Sequence, residues 1–89
     1  MRSLVSPEFR KLFDQLPAEI RGQARKAYAT WPKNADHPGL DFKKLKVTDA
    51  YSARVGLHYR AICVKVGDDQ FVWEWIGTHA DYDKLLRNM

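Results

Sequence analysis

Apolar residues recur at helical spacing in the first third of the chain and at alternate positions in the last half. Phe9, Leu12, Phe13 and Leu16 stand at i, i+3, i+4 and i+7 with Arg10, Lys11, Asp14 and Gln15 turned away, the pattern of an amphipathic helix. Ser6 offers an N-cap oxygen, Pro7 has the fixed φ of a first helical residue, and Glu8 suits the positive end of the helix dipole. Pro17 breaks that helix and can open another, in which Ile20, Ala24, Ala27, Tyr28 and Trp31 form a second stripe before Pro32 ends it. So short a connection predicts an antiparallel helical hairpin, and its apolar faces need a sheet to lie on. Arg21, Arg25 and Lys26 fall on the outer face.

Residues 32–41, PKNADHPGLD, have the composition of an ordered loop. Beyond them the period changes to two. Tyr51, Ala53 and Val55 alternate with Ser52 and Arg54, and Tyr59 to Val66 is rich in β-branched and aromatic residues, so both segments read as strands joined by a reversal at Gly56, Leu57 and His58. A turn at Gly67, Asp68 and Asp69 leads to a third strand, Phe71 to Ile76, which Gly77 is expected to stop. Thr78 can cap a short C-terminal helix carrying Tyr82, Leu85 and Leu86. Arg2 to Val5 is expected to add a short strand at the sheet edge. The fold class is α+β, a helical hairpin on an antiparallel sheet of three to four strands.

At 89 residues with 45% hydrophobic content, the sequence fits one domain over residues 1–89. Its longest apolar run, Ala61 to Val64, is far short of a membrane span, and Pro7 and Glu8 interrupt any secretory signal, so a cytoplasmic protein is expected. The lone cysteine, Cys63, sits in that run and reads as an inert packed thiol. The net charge of +4 is unevenly placed: residues 1–49 carry ten basic and six acidic groups, residues 50–89 five of each. Seven basic residues between Arg21 and Lys46 face only Asp36 and Asp41, which points to a polyanion or an acidic partner unless these cations merely solvate a helix surface.

The candidate chemistry lies in His37, His58 and His79, in Arg54 and Arg60, and in the Lys43, Lys44 and Lys46 cluster. Cleavage of RNA needs one group to take the proton of a 2′-hydroxyl, another to protonate the leaving oxygen, and fixed cations for the charge on phosphorus. Imidazole and guanidinium supply these. Successive histidines are 21 residues apart with no cysteine partner, which matches no usual zinc pattern, so no metal and no cofactor are expected. Strict alternation turns Arg54 away from Tyr51, Ala53 and Val55, so one sheet face would take the helices and the other would show cations. Arg60, in phase with Ile62 and Val64, implies either a bulge near the hairpin or a partly buried ion pair. Trp73 and Trp75 share a phase, and core packing outweighs base stacking as their role because tryptophans in a small sheet usually supply its buried area.

Three segments stand out: HPGL at His37 to Leu40, Tyr51-x-x-Arg54-Val55-Gly56-x-x-Tyr59-Arg60, and GTHADYDKLL from Gly77 to Leu86. In this order and spacing they together resemble the RelE/ParE superfamily of toxins from type II toxin–antitoxin pairs. The resemblance covers nearly the whole chain and implies a helical hairpin on a curved antiparallel sheet. Its RelE-like and YafQ-like branches cut messenger RNA in the ribosomal decoding site, and its ParE-like members inhibit DNA gyrase. Asp36-His37-Pro38 and Gly77-Thr78-His79 match histidine-bearing segments of the YafQ-like branch. Arg54 stands where that branch has a histidine, and His58 where it has an aspartate. Arg54 instead resembles a basic catalytic position of the RelE-like branch, whose arginine after tyrosine matches Arg60.

On this resemblance the chain is expected to be a ribosome-dependent, metal-independent messenger RNA endonuclease. His37 and His79 would handle protons, Arg54 and Arg60 would stabilise charge on the scissile phosphate, and Tyr82 would orient a base or proton donor. Lys43, Lys44, Lys46 and His58 would contact RNA. The expected partners are a cognate antitoxin protein, the ribosome and messenger RNA. Two alternatives stay open: a ParE-like gyrase inhibitor acting by protein contact, and a catalytically inactive member that binds its antitoxin.

Overall fold

A computed structural model describes residues 2–46 and 49–88. The elements run β1 (Arg2–Val5), α1 (Pro7–Asp14), α2 (Ala18–Thr30), a 3-10 turn (Pro38–Leu40), β2 (Lys43–Lys44), β3 (Ala50–Val55), β4 (Tyr59–Gly67), β5 (Gln70–Thr78) and α3 (His79–Arg87). Ser6 caps α1 as its sequence suggests, its Oγ accepting from the Phe9 amide at 3.1 Å. An Arg21 guanidinium nitrogen donates to the Leu16 carbonyl at 2.6 Å, which satisfies a carbonyl at the α1–α2 corner. None of the helices among the described residues is long and apolar enough to cross a membrane.

Among the described residues the sheet has five strands in the order β1-β5-β4-β3-β2, against the three to four that the sequence pattern suggests. β3, β4 and β5 form the expected antiparallel meander. β1 is an edge strand as expected but runs parallel to β5, so the sheet is mixed. Nothing forces a hairpin there, because the two strands are joined through the rest of the fold. The additional strand, β2, spans only two residues and pairs with Ser52 and Tyr51. Gly56 adopts a φ of +62° at the β3–β4 turn, a conformation cheap only for glycine.

α1 and α2 cover one face, where Trp31, 1% exposed, meets Phe42, Phe71 and Trp73 edge-on at centroid distances of 5.8, 5.1 and 5.2 Å. Cys63 is fully buried in this core, and burial pushes its thiol up to about 12, so it stays protonated and unreactive. Tyr51, Ala53 and Val55 face this core, as the alternation indicates.

The opposite face is not an open cationic surface. α3 lies on it, and Leu45, Ala50, Ile62 and Tyr82 form a second, smaller core with Trp75, Leu85 and Leu86. Trp73 and Trp75 therefore do not share a face. The register steps from Ile62↔Trp75 to Cys63↔Trp73, leaving Glu74 as the extra residue of a bulge that sends Trp73 to the large core and Trp75 to the small one. Packing accounts for both rings.

Gly77 does not stop the strand, which continues to Thr78. It makes room for Trp75, since a Cβ at this position would stand 2.7 Å from Cζ2 of the indole. Gly77→Ala is expected to lower stability by about 1–3 kcal/mol through forced displacement of the ring. Urea unfolding measures this; an unchanged midpoint would show that the indole moves aside freely.

Candidate functional site

At the hairpin end of the second face, Arg54 and Arg60 stand directly opposite each other across β3 and β4. Like charges in that relation repel, so the arrangement needs an anion. Asp41 provides it. One carboxylate oxygen, Oδ2, lies 3.1 Å from Arg60 Nη1, 3.8 Å from Arg54 Nη2 and 4.0 Å from Lys43 Nζ. Asp41 reaches this point because it follows the 3-10 turn in a left-handed conformation, φ 42° and ψ 48°, which Asp tolerates better than most residues.

Burial by itself would raise the Asp41 carboxyl. The hydrogen bond from Arg60 and the charges of Arg60, Lys43 and Arg54 outweigh that and hold it below its ordinary value of 3.8. Its contribution to stability is therefore complete above pH 3.8 and lost as pH falls through the lower folded value. At neutral pH it is a carboxylate and a poor proton acceptor.

Arg60 is 3% exposed and forms, with the more exposed Asp41, the partly buried ion pair that was one of the two expectations; the other does not hold, since the β3–β4 register around it is regular, without a bulge. Its Nη2 donates to the Asp41 carbonyl at 2.9 Å and to Ser52 Oγ at 2.8 Å. Its Nε is buried with no acceptor among the described residues. Ser52, completely buried, also accepts from Tyr82 Oη at 3.0 Å, and the Arg60 guanidinium lies 5.2 Å from the centre of the Tyr82 ring. Tyr82 thus supports Arg60 from beneath, with its hydroxyl turned into the protein.

Thr78 Oγ1 accepts from the Asp81 amide at 3.1 Å, which caps α3 and makes His79 its first residue. The His79 amide donates to the His58 carbonyl at 2.7 Å, tying the helix start to the β3–β4 turn. The His79 ring, half-exposed, lies 5.6 Å from the Tyr82 ring, and its Nδ1 is 3.2 Å from Asp83 Oδ2. In the tautomer protonated on Nδ1, His79 donates to Asp83 and leaves Nε2 free.

Arg54, Arg60, Tyr82 and His79 therefore form one connected group, with Lys43 at its edge and His58 beside it through the main chain. The other expected residues lie apart. Lys44 shares the register of Tyr51 and so points to the face opposite Lys43. Lys46 is exposed. The exposed His37 caps the 3-10 turn, its Nδ1 accepting from the Gly39 amide at 3.0 Å, and no hydrogen bond or ion pair joins it to Arg54, Arg60 or His79 among the described residues. Among these residues no group of three His, Cys, Asp or Glu is placed to hold a metal ion.

Asp41, Ser52 and Asp83 join the site beyond the residues expected from sequence. Ser52 alternates in phase with Arg54, and Asp83 follows His79 by one helical turn, so both left a weak signal. Asp41 left none beyond its isolation among cations.

A family model described as the ParE-like toxin domain matches residues 18–84. The chain belongs to this family. Its fold is that of the RelE/ParE superfamily toxins. A chain of the RelB–RelE antitoxin–toxin complex from Methanococcus jannaschii superposes with a TM-score of 0.72 at 21% identity, over 92% of this chain and 96% of that one. The YoeB/ParE toxin from Agrobacterium tumefaciens gives 0.71 at 10% identity, over 89% and 99%. YafQ from E. coli gives 0.63 at 21% identity, over 92% and 98%. No curated protein sequence matches significantly. This ParE-like chain is thus a toxin of the toxin–antitoxin type, with the expected α+β fold.

Proposed function

We propose that this ParE-like toxin cleaves messenger RNA held on the ribosome, by general acid–base chemistry. The observation that carries the reading is the Arg54–Arg60 pair gathered around one anion, with the Tyr82 ring between Arg60 and a histidine at the start of α3. Such a pair suits a phosphate whose charge grows as a 2′-oxygen attacks phosphorus. His79 takes part in proton transfer through Nε2, held in orientation by Asp83. The second transfer falls to His37, four residues before Asp41 on the same loop, whose ring must leave its cap at Gly39 to reach substrate. The 2′-oxygen forms a cyclic phosphate, the 5′-oxygen leaves, and the proton removed from the first is balanced by the one delivered to the second. Tyr82 acts as a positioning residue for Arg60.

Toxin added to ribosomes programmed with a defined message should give truncated transcripts, equally so with a zinc-selective chelator at constant free magnesium. Intact message with altered plasmid supercoiling would instead support gyrase inhibition, the second reading that the ParE-like family match keeps open. Neither effect would mark an inactive antitoxin-binding member. Ribosome engagement implies a cytoplasmic protein. Its other partner is a cognate antitoxin, in keeping with relatives solved as antitoxin–toxin complexes; a disordered acidic tail folding on the basic surface fits the charge distribution.

Lys43, Lys44 and Lys46 contact phosphates without reading bases in this scheme. Changing all three to glutamine should weaken ribosome binding and flatten the plot of log affinity against log salt by about two to three units. An unchanged slope would remove them from the interface.

A further inference from the structure

We propose that the Asp41 carboxylate is a built-in occupant of the phosphate site formed by Arg60, Arg54 and Lys43, and that RNA phosphate binds by displacing it. The inference rests on reading this cluster as a phosphate site, but not on cleavage.

The bonding of Arg60 divides in two. Nη2 is held by the Asp41 carbonyl and Ser52 Oγ, and the guanidinium plane rests near the Tyr82 ring. None of these contacts involves the carboxylate. Among the described residues Nη1 has one partner, Asp41 Oδ2. Withdrawing the carboxylate leaves the guanidinium anchored and frees a donor that points where Arg54 and Lys43 also converge.

Asp41 is well placed to withdraw. Its side chain is 41% exposed, whereas that of Arg60 is 3% exposed, so the anion is the outer member of the pair. Among the described residues its side-chain partners are the three cations. A phosphodiester entering from solvent offers the same charge with two free oxygens, and can replace the carboxylate without moving the strands. Two arginines facing each other across the ladder explain why the free chain keeps an internal anion, and why substrate must compete with it.

The test is the affinity of wild type, Asp41→Asn and Asp41→Ala for a fluorescein-labelled, 2′-O-methylated hexanucleotide, which cannot be cleaved. Both variants should bind at least about fivefold more tightly at low salt, with a salt slope steeper by about one ion. In the wild type, the Asp41 side-chain carboxyl ¹³C resonance should move as the oligonucleotide saturates. Equal or weaker binding by folded variants, including no measurable binding, overturns the proposal, as does a resonance that stays fixed at saturation of the wild type. Tighter binding by the variants with no cleavage of ribosomal message by the wild type would reject the nuclease reading and keep the displaced anion. Cleavage by the wild type without tighter binding by the variants would do the reverse.

Discussion

His79→Ala should slow cleavage of ribosome-bound message by about 10²- to 10⁴-fold, the range that one positioned proton-transfer group supplies. The fold should survive, because the ring is half-exposed and α3 keeps its cap from Thr78 and its main-chain bond to His58. The loss should appear in the single-turnover rate, not in ribosome binding. Asp83→Asn should cost less, since it removes only the group that orients the ring. A folded His79→Ala chain that cuts at the wild-type rate excludes the histidine from the chemistry.

Arg60→Gln should lower the cleavage rate by about 10²- to 10³-fold, the cost of deleting one charge-stabilising donor in a preorganised site. It should also lower stability by about 1–3 kcal/mol, because the Asp41 carbonyl and Ser52 lose a buried donor. Urea unfolding reads the second effect, and single-turnover cleavage at a temperature where the variant is folded reads the first. Arg60→Lys should recover part of the rate, since it keeps the charge but cannot bond Ser52 and Asp41 through a planar fork. If both variants retain full activity once folded, Arg60 is a structural ion pair and the phosphate must be held elsewhere.

These two residues differed in how far their surroundings could be read from sequence. His79 falls directly after a capping threonine, so its place at a helix start was plain. Its partner Asp83 is one turn away on the same helix and was legible in principle. Arg60 was legible only as a cation in phase with apolar residues. Its partner lies 19 residues earlier, beyond the reach of any local periodicity. Trp73 and Trp75 show the same limit: an alternating pattern places them together, and only pairing with Ile62 and Cys63 reveals the bulge that separates them. Lys43 and Lys44 form a strand too short to carry a pattern.

What the sequence by itself determined was local: the caps of α1 and α3, the alternation that sends Arg54 away from Val55, and the turn at Gly56. Such features depend on spacings within a few residues, which steric and hydrogen-bonding rules fix without reference to the rest of the chain. The tertiary structure alone decided which charges meet. It turned β1 parallel to β5, laid α3 over the second face, and brought Asp41 between two arginines from adjoining strands. Electrostatic partnership depends on distance through space, and an aspartate in a loop carries no mark in its neighbours of the cations it will offset.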